Sequence, residues 1–123
     1  MLGNESTAAT ATSAINAASL SAGANNGGWI DTRNYQGDLL FTVLLGAVTG
    51  SVIVKIQDAT DGSGTGSADV SGFATASLNT PNSATKLIMP SSKSRGWVRA
   101  VATVTTGPIL TAVAMHARPS TTA

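Results

Sequence analysis

The chain has 123 residues, enough for one hydrophobic core, and no cysteine, which excludes disulfides, thiolate metal sites and cysteine nucleophiles. Charged residues make up 11%, aromatic residues 4%, and the net charge is +1, whereas a soluble domain typically carries about 25% charged residues. This balance gives no electrostatic case for nucleic acid or an anionic membrane, no stretch approaches the ~20 apolar residues of a membrane span, and so weakly charged a surface is a poor guard against self-association.

Met1–Ser13 is nearly all Ala, Thr and Ser, with Asn4 and Glu5. It offers too little apolar area to offset its ordering entropy, so it reads as an N-terminal arm, either frayed or ordered on a partner. Its start has no basic side chain and its apolar positions are interrupted by polar ones, unlike a secretory leader. Ala14–Gly23 places Ile15 and Leu20 among small residues and fits a weak strand, with a helix as the alternative. Asn25-Asn26-Gly27-Gly28 is a turn signal, and Trp29–Thr32 a short strand after it.

Asn34–Gly37 turns into the most regular stretch, Gly37–Asp58. Leu39, Phe41, Val43 and Leu45 alternate with Leu40, Thr42 and Leu44. After Gly46–Gly50 the alternation resumes, with Val52, Val54 and Ile56 on one side and Ile53, Lys55 and Gln57 on the other. Two period-two runs around a Gly-bounded break predict a β-hairpin. Its first strand, apolar on both sides, is expected to be central and doubly covered; its second is expected to have one wetted face.

Asp58–Ser71 is a long polar run that reads as a flexible loop. Gly72–Leu78 alternates like a strand, Asn79–Ser83 turns, and Thr85–Met89 is a short strand closed by Pro90. Ser91–Gly96 is a polar turn. Trp97–Val104 presents Val98, Ala100, Ala102 and Val104 on one face, Gly107-Pro108 turns, and Ile109–His116 is the last strand. About eight short strands with little convincing helix predict an all-β fold. The expected architecture is an antiparallel β-sandwich, jelly-roll-like, with an extended N-terminal arm. One domain over residues 14–118 lies between the arm, 1–13, and a short polar tail, 119–123.

No motif carries a reaction. Gly62-Ser63-Gly64-Thr65-Gly66 lacks the Lys-Ser/Thr pair of a phosphate loop and the following helix of a dinucleotide fingerprint. Asp58, Asp61 and Asp69 could hold calcium in an irregular loop, but the EF-hand spacing and its Glu are missing. His116, the only histidine, has no nucleophile elbow to serve and reads as a strand-edge or interface side chain. The five Asp and one Glu scatter over turns and the arm. The reading is therefore a non-enzyme with no cofactor, no metal and no small-molecule substrate. Lys93, Arg95 and Arg99 cluster around Trp97, too few for a nucleic-acid surface. Arg99, inside an apolar strand, should pair with a carboxylate such as Asp31 or Asp58 or lie at an interface. Asp31 and Arg33 are further candidate partners.

Gly28–Thr32 (GWIDT), Val54–Gly64 (VKIQDATDGSG), Ala68–Gly72 (ADVSG), Arg95–Val104 (RGWVRAVATV) and Gly107–Arg118 (GPILTAVAMHAR) follow one another in an order that resembles small virion structural proteins of tailed bacteriophages, in particular capsid decoration (cement) proteins. The resemblance spans about Gly28–Arg118 and leaves out the arm. It implies a jelly-roll-like protein on the outer surface of a phage head, assembled in the host cytoplasm. Such a protein clamps neighbouring major capsid subunits, often as a homotrimer, and needs neither nucleic acid nor membrane. The candidate interface residues are Trp29, Trp97, Arg95, Arg99, Ile15 and Leu20, with the two tryptophans as anchors of the core or of the trimer seam. Other readings are a carbohydrate- or receptor-binding sandwich of a tail fibre or spike, and a low-copy head–tail component. Removing the arm is expected to weaken shell binding and leave the domain folded; a co-sedimentation assay showing unchanged binding would refute a partner-ordered arm.

Overall fold

Alternating side chains extend the backbone into nine strands, seen in a computed structural model that describes residues 10–119. They are β1 (Thr10–Leu20), β2 (Gly23–Asn26), β3 (Ile30–Asp31), β4 (Tyr35–Val48), β5 (Ser51–Ala59), β6 (Ala68–Ala74), β7 (Ser83–Pro90), β8 (Trp97–Thr105) and β9 (Ile109–Pro119). A short 3-10 turn, Ser91–Lys93, follows β7. One sheet has the order β1-β9-β4-β7, and the other β2-β8-β5-β6 with β3 also on β8. β2 and β3 line the same side of β8, at Val101–Val104 and at Trp97-Val98. Counted as one interrupted edge strand, they complete an antiparallel sandwich whose order is that of an eight-stranded double-sheet jelly roll.

The expected β4–β5 hairpin does not form. β4 pairs with β7 and β9, while β5 pairs with β6 and β8 in the opposite sheet. The reason lies in the two apolar faces. As a hairpin, β4 and β5 would put both faces on one side of one sheet. Crossing between the sheets sets Leu39, Phe41, Val43 and Leu45 opposite Val52, Val54 and Ile56, all 5% exposed or less. Among the described strands, only the β2–β3 and β5–β6 connections stay within one sheet. Nor is β4 covered on both sides: its second face reaches solvent at Leu44, 47% exposed. β5 has the wetted face expected of it, through Ile53, Lys55 and Gln57.

The crossings pack against one another. A Cβ on Gly50, in the β4–β5 crossing, would overlap the carbonyl oxygens of Thr105, the last residue of β8, and Thr106, in the β8–β9 crossing. Thr49 Oγ1 donates to the Pro108 carbonyl at 2.8 Å. A Cβ on Gly107 would fall 2.9 Å from the Ala22 nitrogen of the β1–β2 crossing. Glycine at these places lets backbones touch where no side chain fits.

Boundaries shift where pairing reaches past the local pattern. β1 is a strand rather than a helix, because every described part of it lies along β9. It begins at Thr10 and so takes in the last four residues of the stretch read as an arm; residues 1–9 lie outside the described residues. β9 extends to Pro119, opposite Tyr35. β6 starts at Ala68, earlier than the alternation from Gly72 implied, and the register shifts between Lys55 and Gln57, near Gly72 at φ +87°. Leu78 keeps only a bridge to Val52.

The core is built from Val, Ile, Leu, Ala and Met with one fully buried aromatic, Phe41. Val98, Ala100, Ala102 and Val104 face inward from β8, as the alternation predicted. Small side chains let the sheets close at one side, where a Cβ on Gly27 would overlap the Ala14 carbonyl oxygen of β1. Its neighbour Gly28 has nothing within 4 Å of the same position. Gly27→Ala is therefore expected to cost about 2 kcal/mol or more, and Gly28→Ala less than about 1 kcal/mol, in urea unfolding. Equal losses would contradict this packing.

Candidate functional site

The sandwich has two different outer faces, each set by the residues that alternate with the core. On the β2/β3-β8-β5-β6 sheet the outward positions of β8 begin with Trp97 and Arg99. Trp29, just before β3, stands beside Arg99, whose guanidinium lies 4.5 Å from the indole centroid. Arg99 Nε donates to Gln57 Oε1 at 2.9 Å, and Gln57 Nε2 donates to Asp69 Oδ1 at 2.9 Å. Lys55 Nζ reaches Asp69 Oδ2 at 3.1 Å. The polar side chains of three strands thus form one line. Hydrogen bonds from Gln57 and then Lys55 lower the pKa of Asp69.

Trp97 carries a second cation. The Arg33 guanidinium is 5.5 Å from its centroid. Arg33 also grips Asp31 in a fork, Nε to Oδ1 at 2.9 Å and Nη2 to Oδ2 at 2.7 Å. These bonds and the Arg33 backbone N–H hold the Asp31 pKa at about 2, below its ordinary 3.8, and raise that of Arg33.

The polar run after β5 folds back over the tryptophans. A Cβ on Gly62 would lie 3.0 Å from the Trp97 ring, and one on Gly64 2.8 Å from Trp29 Nε1. Gly64 and Gly66 both have positive φ. Asp61 organises this turn by accepting from the backbone of Ser63 and Thr65 and, at 2.6 Å, from the Thr65 hydroxyl. The Thr65 hydroxyl, then its backbone N–H, lowers the Asp61 pKa. The segment read as a flexible loop is thus a built turn over residues 60–67.

Arg95 fastens the same turn from below. Its Nη2 donates to Asp58 Oδ1 at 2.8 Å, to the Asp58 carbonyl at 3.1 Å and to the Gly66 carbonyl at 2.7 Å. Asp58 is only 6% exposed, so this partner satisfies a buried carboxylate. The three aspartates of the run therefore serve three different partners, and among the described residues no three His, Asp or Glu side chains gather as a metal site.

The β1-β9-β4-β7 sheet has an apolar outer face instead. Leu44, Ile88 and Leu110 are 47%, 53% and 46% exposed. Leu40 lies across from Ile88, and Leu44 lies between Ala112 and Ala84. Leu110 leans over Gly46, where a Cβ would meet its side chain at 2.9 Å. Lys86 and His116 share this face. His116 sits on β9, between β1 and β4, so it is not at a strand edge.

Of the six candidate interface residues, four gather at one end of the polar-lined sheet: Trp29, Trp97, Arg95 and Arg99. Neither tryptophan is in the core; both are half-buried on the outside. Ile15 is a core residue, 8% exposed, and Leu20 packs against the core. Arg99 takes a glutamine and an indole rather than a carboxylate, because Asp31 and Asp58 are already paired with Arg33 and Arg95. Leu44, Ile88 and Leu110 were not singled out from sequence, although the apolar second face of β4 was the signal for them. Comparison with known proteins returns no match: no family model, curated protein or solved structure is similar enough to inform the function.

Two outcomes follow. Arg95→Met strands the Asp58 carboxylate and should cost about 1–3 kcal/mol while opening residues 60–67 to protease; unchanged proteolysis would contradict the clamp. Because the Asp31 pKa is depressed on folding, its contribution is complete above about pH 4, the unfolded value, and is lost as pH falls towards 2. Asp31→Asn should flatten that part of the stability–pH curve, as followed by thermal melts.

Proposed function

We propose that the chain is a virion structural protein, a capsid decoration protein on the outer surface of a tailed-phage head. It binds the major capsid protein, holds neighbouring subunits together and associates with itself as a homotrimer. The observation that carries this reading is the exposed apolar face of the β1-β9-β4-β7 sheet. A sandwich has no use for Leu44, Ile88 and Leu110 in water, whereas an assembly does. The low charge and the sequence resemblance support the same reading.

Magnitudes favour multivalent attachment. Four strands about 4.8 Å apart and roughly seven residues long give a face of about 450 Å². A standard stable interface takes ~800 Å² from each partner. One copy would therefore hold weakly, and joining three copies makes later contacts intramolecular. Binding only the expanded shell would stabilise that state by linkage.

The test adds purified protein to shells stripped of it. Leu44→Asp and Ile88→Asp should each lower shell affinity on the order of tenfold without lowering the melting temperature of the free protein. Undiminished binding by both variants would overturn this face as the attachment surface.

A further inference from the structure

A recess of about 420 Å³ opens at one end of the sandwich, between the turn after β3 and the connection from β7 to β8. Its volume is within the range of small-ligand sites. Arg33 and Arg95 form part of its wall, together with Tyr35, Ser91 and Ser92. Both guanidiniums are immobilised from outside the recess. Asp31 and the Trp97 ring hold Arg33; Asp58 and two carbonyl oxygens hold Arg95. Each keeps Nη1, and Arg95 also Nε, outside the hydrogen bonds formed among the described residues. The hydroxyls of Tyr35, Ser91 and Ser92 are likewise uncommitted there. Thr32 and Ser94, deeper in the wall, bond to each other at 2.8 Å and stiffen the two segments.

We infer that this recess is a saccharide-binding site, recognising a neutral, hydroxyl-rich ligand through fixed hydrogen-bond donors and serine and tyrosine hydroxyls. Charge decides between a sugar and a simple anion. The two arginines are matched by Asp31 and Asp58, so a bare anion meets little net positive potential. A sugar hydroxyl both accepts from the guanidinium N–H groups and donates to the wall hydroxyls. Pre-positioned donors also lower the ordering cost of binding. The site is separate from the apolar sheet face and does not depend on attachment to a shell.

The test screens the full chain on an array of neutral and acidic oligosaccharides, then titrates the bound sugars, with sodium sulfate as control, by tryptophan fluorescence. Neutral oligosaccharides should bind, with affinity changing less than about threefold between 50 and 500 mM NaCl. Arg33→Met and Tyr35→Phe should each weaken binding about five- to tenfold. Tyr35→Phe removes only a hydroxyl and keeps the fold, so its loss reports the site. No neutral sugar bound, binding untouched by both variants, or binding confined to sulfate and acidic sugars with steep salt dependence would each overturn the inference.

Discussion

The structure rests on two apolar faces that must meet across the gap between sheets rather than lie side by side. Leu39, Phe41, Val43 and Leu45 on β4 meet the inward residues of β5 and β8. With so few aromatics to fill the gap, Val and Ala do most of the packing, and the backbones come close. Gly27, Gly50 and Gly107 mark where they touch. Shape complementarity in so lean a core comes from the backbone path as much as from side chains. The nested crossings then place every outward residue on one of two faces.

Those faces divide the labour. One is tied together by cation–π contacts, ion pairs and the turn that Asp61 and Arg95 hold over the tryptophans. Its charged side chains Lys55 and Asp69, Arg33 and Asp31 are paired, and one large hydrophobic, Ile53, is 41% exposed among them. The other exposes Leu44, Ile88 and Leu110 with few charges to guard them. Three of the four exposed large hydrophobics among the described residues thus lie on one sheet. In the proposed virion role the apolar sheet meets the shell, and the end bearing Arg33 and Arg95 remains accessible.

Most strand positions, and the inward residues of β5 and β8, were legible because period two records burial directly. Partners were not. The Gly-rich break at residues 46–50 looks the same whether the chain turns back beside itself or crosses to the other sheet, and only the competition of β7, β8 and β9 for pairing decides. The Asp31–Arg33 pair was visible as a possibility from its two-residue spacing. Arg99 against Trp29 was not, since 70 positions of sequence separate them. The bare outer face was misread at Leu40 and Leu44 for a related reason: an apolar second face signals a cover, and sequence does not say whether that cover belongs to the same chain.

The most direct measurement is the number of copies of this chain per major capsid protein in purified virions, by quantitative mass spectrometry. A ratio near one to one matches trimers at every local three-fold position of the shell and is the result the account predicts. A handful of copies per particle, or none, would contradict a protein that coats the head.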